Sequence, residues 1–202
     1  MPGPMSSKAE RTKQHIITKA APLFNTQGYA GTSMSDIMRA TGLAKGGLYG
    51  NFESKDAIAA AVFDYSFQQL TEAIVAVVRP QPTAIGKLLA INSFYHNYTL
   101  TPTIAGGCPL LNSAVEVRAG FPYLQQQVSK AMEETLRYFE RILQLGIDQK
   151  ELRPDIDTRK EAELFFAQIE GAMVMSRATG DPRRLNRMLD YMRQHLLQEL
   201  AL

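Results

Sequence analysis

The stretch Thr32–Asn51 constrains this chain more than any other. Ser33, with Asp36 three residues on, is a helix start, and Ile37 and Met38 form the inner face of the helix that follows. Gly42 is a left-handed stop and Leu43 fills the corner behind it. Lys45 to Asn51 is then a second short helix, with Leu48 and Phe52 pointing one way. Two short helices joined by a tight turn make a helix-turn-helix, and the chain on either side must support that unit.

The flanking sequence is helical throughout. After a disordered start over Met1–Met5, Ser7 and Glu10 form a capping box, and Ile16, Ile17, Ala20, Leu23 and Phe24 recur at helical spacing. Pro22 predicts a bend in this first helix, and Gly28 ends it. Ser54 opens a long helix to about Val78, and Pro80 and Pro82 interrupt the chain. Amphipathic helices follow over Thr83–Tyr98, from Pro109 to about Val117, and from Pro122 to beyond Ile147. Two more run from a capping box at Thr158 and Glu161 to about Arg177, and from Asp181-Pro182 to the end. No segment alternates apolar and polar residues as a half-buried strand does, so the expected fold class is all-α with about nine helices. The expected domains are residues 7–55, carrying the helix-turn-helix at 32–51, and residues 56–202, a larger helical domain.

A chain of 202 residues with 45% hydrophobic and 21% charged side chains can bury a real core. Its start lacks the apolar core of a signal peptide and no run is long enough to span a membrane, which predicts a cytoplasmic location without a membrane partner. A single cysteine excludes an internal disulfide and a cysteine-based zinc site. His15, His96 and His195 lie in three different helices, so neither a metal nor another cofactor is expected. Residues 1–58 hold seven bases (Lys8, Arg11, Lys13, Lys19, Arg39, Lys45, Lys55) and four acids (Glu10, Asp36, Glu53, Asp56), while the whole chain is only +2. This asymmetry suits a module that approaches a polyanion, although a solvated charged face would look similar.

Ile17, Ala20, Ala21, Leu23-Phe24, Gly28-Tyr29, Thr32-Ser33, Ile37, Gly42, Lys45-Gly46, Leu48-Tyr49, Phe52 and Ser54-Lys55 together resemble the N-terminal domain of the TetR family of bacterial transcriptional regulators. The resemblance covers roughly residues 8 to 60; the later helices fit the family in number and length only. It implies a ligand-responsive, sequence-specific DNA-binding regulator, most simply a repressor. In such a homodimer each subunit lays a recognition helix in the major groove of a pseudo-palindromic double-stranded operator, and a small-molecule inducer in the C-terminal domain lowers DNA affinity. By family position Lys55 is a phosphate contact.

Helix geometry assigns further roles. With Leu48 and Phe52 inward, about 100° per residue puts Gly46 and Gly50 on the groove-facing side, with Gly47 and Tyr49 on its flanks. The expected DNA contacts are Thr32, Ser33, Arg39, Lys45, Gly46, Gly47, Tyr49, Gly50, Asn51 and Lys55. Gly50 departs from the family, which commonly places a larger polar or aromatic residue there. Close backbone approach, with side-chain contacts from Lys45, Tyr49 and Asn51, is the expected mode.

Candidate ligand-pocket residues are Phe63, Phe67, Phe94, Tyr98, Cys108, Asn112, Glu116, Met132, Phe139, Phe165 and Met173. Glu116 would meet a cationic ligand if it points inward, and is otherwise an ordinary carboxylate; most of the aromatics are equally well core. Cys108 precedes a helix start that favours a thiolate, so it is either a thiol sensor or a small packing residue. Dimer candidates on the last two helices are Phe166, Gly171, Leu185, Met188, Leu189, Met192 and Leu196. No nucleophile elbow, phosphate-binding glycine loop or zinc-protease motif points to catalysis, so the expected protein is not an enzyme. The alternatives are a helical ligand-binding or protein-interaction module, or a helical enzyme with dispersed catalytic residues, in which the helix-turn-helix is vestigial.

Overall fold

The computed structural model describes residues 7–98, 101–117 and 122–202; the expected disordered start lies outside them. Among the described residues the elements run α1 (Lys8–Gly31), α2 (Met34–Thr41), α3 (Lys45–Tyr49), α4 (Lys55–Val78), α5 (Ala84–Tyr98), α6 (Pro109–Val117), α7 (Pro122–Asp148), α8 (Thr158–Thr179) and α9 (Arg183–His195). A π-helical turn over Leu196–Leu200 follows α9. The fold is all-α, and none of the described helices is long and apolar enough to cross a membrane.

Met1–Gln69 and Ile104–Ser129 cluster into one compact unit, and Leu70–Thr103 with Lys130–Leu202 into another. Helix α6 and the first turns of α7 thus cluster with the helix-turn-helix. The core of the first unit is Ile16, Ala20, Ala21, Ile37, Leu48, Ile58, Val62 and Ile104, supplied by α1, α2, α3, α4 and the loop before α6.

Helix α1 starts on the Ser7 and Glu10 capping box, in which the Ser7 hydroxyl accepts from the Glu10 N–H at 3.1 Å. The helix leaves its regular path at Gly28 (φ 76, ψ 173) and not at Pro22. Proline's fixed φ is itself helical, and its costs are one lost N–H and the crowding of its ring against the preceding turn. Gly28, by contrast, adopts a backbone that favours glycine, and α6 lies against it: a Cβ there would sit 1.9 Å from Glu116 Oε1.

In the second unit α8 starts one residue earlier in capping terms than the sequence suggests. Asp157 is the cap, accepting from the Lys160 N–H at 3.1 Å, and Thr158 is already helical. Glu161 is then free of capping duty, and its carboxylate lies 3.1 Å from His195 Nε2 on α9. Gly180, left-handed at φ 66, ends α8, and α9 packs back against it. Asn92 of α5 donates to the Leu189 carbonyl of α9 at 2.8 Å. The chain end closes on the linker before α8, where the Leu202 N–H donates to the Glu151 carbonyl at 3.0 Å.

Gly28→Ala combines backbone strain with a clash, and should lower the urea-unfolding free energy by about 1–2 kcal/mol or more. Gly31→Ala is the control, because a Cβ there meets only Gln27 Cβ at an ordinary 3.5 Å and its stability should be unchanged or higher. Equal effects at the two glycines would contradict this account of the kink.

Candidate nucleic-acid interface and cavities

The helix-turn-helix is built from its caps upward. Ser33 and Asp36 form a capping box on α2: the Ser33 hydroxyl accepts from the Asp36 N–H at 3.1 Å, and the Ser33 N–H donates to the Asp36 carboxylate at 2.9 Å. Asp36 also pairs with exposed Arg39. The Ser33 hydrogen bonds, ahead of the Arg39 charge, hold the Asp36 carboxyl below the usual carboxylate range. Gly42, left-handed at φ 70, closes α2 and donates to the Met38 carbonyl at 2.9 Å. His15 of α1 reinforces that end, with Nε2 2.9 Å from the Thr41 carbonyl oxygen.

Helix α3 is anchored by Leu48, which is fully buried among α1, α2 and α4 residues. Gly46 and Gly50 are exposed on its other side, and a Cβ on Gly46 would meet nothing within 4 Å. Gly47 sits against Leu43. Tyr49 is exposed, and Lys45 Nζ lies 5.8 Å from its ring centroid, which places the cation and the ring together beside the bare face. Lys13 is similarly close to Phe52, at 5.9 Å.

Three of the expected DNA contacts are otherwise employed. Thr32 has 0% exposure, and its hydroxyl donates to the Gly28 carbonyl at 2.7 Å. It ties down the end of α1 and offers no surface to a phosphate, which leaves Ser33 as the exposed hydroxyl at the start of α2. Asn51 is half-buried, and its amide donates to the Gly47 carbonyl at 2.8 Å, capping the end of α3. Lys55 Nζ lies 4.1 Å from the centroid of the Tyr29 ring. The Tyr29 hydroxyl donates to Asp56; burial first, and that bond second, push its pKa up to about 12.

A polar junction joins α6 to the end of α1, and sequence reasoning did not find it. Glu116 accepts from the Tyr29 N–H through both carboxylate oxygens, at 3.0 and 2.8 Å. Asn112 Nδ2 donates to the Asn25 carbonyl and side-chain oxygens at 3.1 and 2.9 Å. Asn25 Nδ2 donates in turn to the Ala105 and Gly107 carbonyls. No local pattern announces pairs so far apart in the chain.

The ligand candidates divide between separate places. Phe63, Asn112 and Glu116 line a small cavity in the first unit, and Phe67 stacks on Phe63 with centroids 6.0 Å apart. Phe94 and Tyr98 line a groove of about 610 Å³ along α5 in the second unit. Cys108 is buried immediately before α6. Phe139, Phe165 and Met173 are buried in the core, Phe139 and Phe165 with stacked rings, and Met132 is half-buried.

Among the dimer candidates, Leu185 and Leu189 have 0% exposure and Met192 and Leu196 1%. Side chains so deep in their own unit have no surface left for a second copy, so these four are core rather than interface. Phe166 and Met188 are half-buried and Gly171 is exposed. The large apolar side chains that α8, α9 and the π turn do expose are Leu164, Val174, Met175, Tyr191 and Leu197.

The Asp36 carboxyl is expected to titrate below the ordinary aspartate range by NMR, and to move up in Ser33→Ala. The stability lent to α2 by a depressed carboxyl is complete above the ordinary value and lost as pH falls through the lowered one, so the variant should lose its α2 contribution at higher pH. An unmoved Asp36 titration in Ser33→Ala would contradict the assignment.

Residues 16–62 match the family described as bacterial regulatory proteins, tetR family, and residues 84–192 match the tetracyclin repressor-like C-terminal domain. A TetR transcriptional regulator from Chloroflexus aurantiacus is 34% identical, with a TM-score of 0.92 over 96% of this chain and 98% of its own. A TetR-family regulator from Cytophaga hutchinsonii is 35% identical, also with a TM-score of 0.92, over 98% and 99%. The transcriptional repressor DhaR of a Mycobacterium species is 23% identical, over 92% of each chain. With an exposed recognition helix, an all-α fold and family matches at both ends, this chain belongs to the TetR family of bacterial transcriptional regulators, DNA-binding proteins that respond to ligands.

Proposed function

We propose that the protein is a homodimeric repressor in the cytoplasm, not a catalyst, and that a small-molecule inducer releases it from a pseudo-palindromic operator. Residues 7–55 read DNA through the helix-turn-helix at 32–51, and residues 56–202 supply the inducer site and the dimer contacts. Two copies of α3 would enter successive major grooves about 34–36 Å apart. Inducer would lower operator affinity only by as much as it prefers the released state. DhaR, a relative named as a repressor, favours that sign of regulation.

The observation that carries this reading is the bare face of α3. Gly46 has no positive φ and nothing near its missing side chain, so neither backbone geometry nor internal packing demands glycine there. Glycine inside a helix still costs about 1 kcal/mol relative to alanine. The face is suited to an outside surface that approaches the backbone closely, as base edges in a major groove would. Lys45 and Tyr49 stand beside it to meet a guanine edge, a phosphate or a thymine methyl. Gly47 and Gly50 keep the same helix slim, and Ser33 and Arg39 stand on the α2 side.

Gly46→Ala, expected to leave thermal stability unchanged or raised, and Gly50→Ala, whose Cβ would meet the Gly46 carbonyl oxygen at 3.0 Å and which is expected to lose some stability, should each weaken binding to the selected operator about tenfold, measured by fluorescence anisotropy at fixed salt. Unchanged affinity in both variants would sink the close-approach reading.

For the dimer, the exposed apolar side chains of α8 and α9, with open space at Gly171, are the surface that would pair with a second copy in a four-helix bundle. The double variant Val174→Glu, Met175→Glu should sediment as a monomer at micromolar concentration and lose operator affinity, with the wild type a dimer. A wild-type monomer that still binds the operator tightly would contradict this.

A further inference from the structure

The small cavity in the first unit lies among α1, α4, α6 and the start of α7, and what lines it is chemically one-sided. Ser66 of α4 is 2% exposed, and its hydroxyl has no hydrogen-bond partner. A buried hydroxyl left so is destabilising, and an arriving partner would relieve the cost. Glu116 also lines the cavity, and its carboxylate, with room for about four hydrogen bonds, is shown receiving a single N–H, that of Tyr29.

The amide donors nearby are spent within the protein. Asn112 Nδ2 is directed to Asn25 and to the Gly106 carbonyl, and Asn25 Nδ2 to the Ala105 and Gly107 carbonyls. What the cavity keeps on offer is the Glu116 carboxylate, the one acidic group of its lining, with the hydroxyls of Ser66 and Ser113, walled by the aromatic side chains of Phe24, Tyr29 and Phe63. A carboxylate between aromatic walls, with hydroxyls that can turn their lone pairs inward, suits a positive donor and repels an anion. The room for the centres of water-sized molecules is about 30 Å³, enough for a head group and too little for a drug-sized ligand.

We propose that this cavity binds the ammonium head of a small alkylamine, with Glu116 as counter-ion and Ser66 as a second acceptor. The site deepens the reading of the protein as an inducer-released repressor by naming a ligand class. It also has a direct route to the reading head, since Glu116 is the acceptor for the Tyr29 amide. Tyr29 stands just beyond the Gly28 kink, and the Thr32 N–H bonds back to both residues immediately before the α2 cap. A cation that draws the carboxylate into the cavity takes an acceptor away from the end of α1.

The test follows the Tyr29 amide by NMR while n-butylammonium chloride is titrated into the full-length protein at constant ionic strength, with 1-butanol and sodium butyrate as neutral and anionic counterparts. Saturable shifts at Tyr29 are expected with butylammonium, with butanol at least about tenfold weaker, equivalent to about 1.4 kcal/mol, and butyrate inactive. Glu116→Gln keeps a Tyr29 acceptor and loses the charge, and Ser66→Ala removes only the orphan hydroxyl. Each should weaken the amine at least about fivefold, while Ser66→Ala unfolds at the wild-type temperature or above. Butanol binding as tightly as the amine, or no saturable change at Tyr29, overturns the proposal. Operator binding is measured separately without amine, so a failure to bind DNA counts against the repressor reading and a failure to bind amine against this site.

Discussion

Leu48 is the contact on which the reading head depends. Helix α3 spans only Lys45–Tyr49 and includes Gly46 and Gly47, so by propensity and length it has little claim to form alone. It exists because Leu48 is fully buried among Ile16, Ala20, Ile37 and Ile58, which fixes its rotation along with its position. One buried side chain on such a short helix decides which residues face out, and the outward ones are glycines flanked by a lysine and a tyrosine. The helix can be this bare only because its stability is borrowed from α1, α2 and α4.

That borrowing extends to α6. Glu116 and Asn112 satisfy backbone and side-chain groups at the end of α1 that a kinked helix would otherwise leave unpaired. The same two residues line the cavity. Structural support of α1 and recognition of a ligand thus draw on one set of hydrogen bonds within one compact unit. A change in α6 is felt at the end of α1 without a long path, because the acceptor that would move is the one that α1 uses.

Most of the helices were legible because their signals are local. The Ser7 and Ser33 capping boxes, the Gly42 stop and the prolines opening α6 and α7 each act over a few residues, and the structure holds them where the spacing places them. The failures are of a different kind. Gly28 was expected to end α1 and instead kinks it, the helix resuming to Gly31, with Glu116 leaving no room for a side chain at the kink. Thr32 looked like a cap hydroxyl open to phosphate and is buried, because the kink turns it back onto Gly28. Leu185, Leu189, Met192 and Leu196 show a helical stripe, but a stripe does not say whether the covering partner is the same chain or another. The Asn25–Asn112 and Glu116–Tyr29 pairs carried no signal at all, since each joins residues more than eighty positions apart.

The central claim is that the exposed glycine face of α3 reads DNA as one half of a symmetric pair. Selection of bound sequences from random duplex DNA by the wild-type protein tests it most directly. The account predicts an enriched pseudo-palindrome with half-site centres about one helical turn apart, 10–10.5 base pairs or a multiple, and with affinity that falls steeply as salt rises. Recovery of no enriched motif, or of a single half-site with no symmetry, would contradict it.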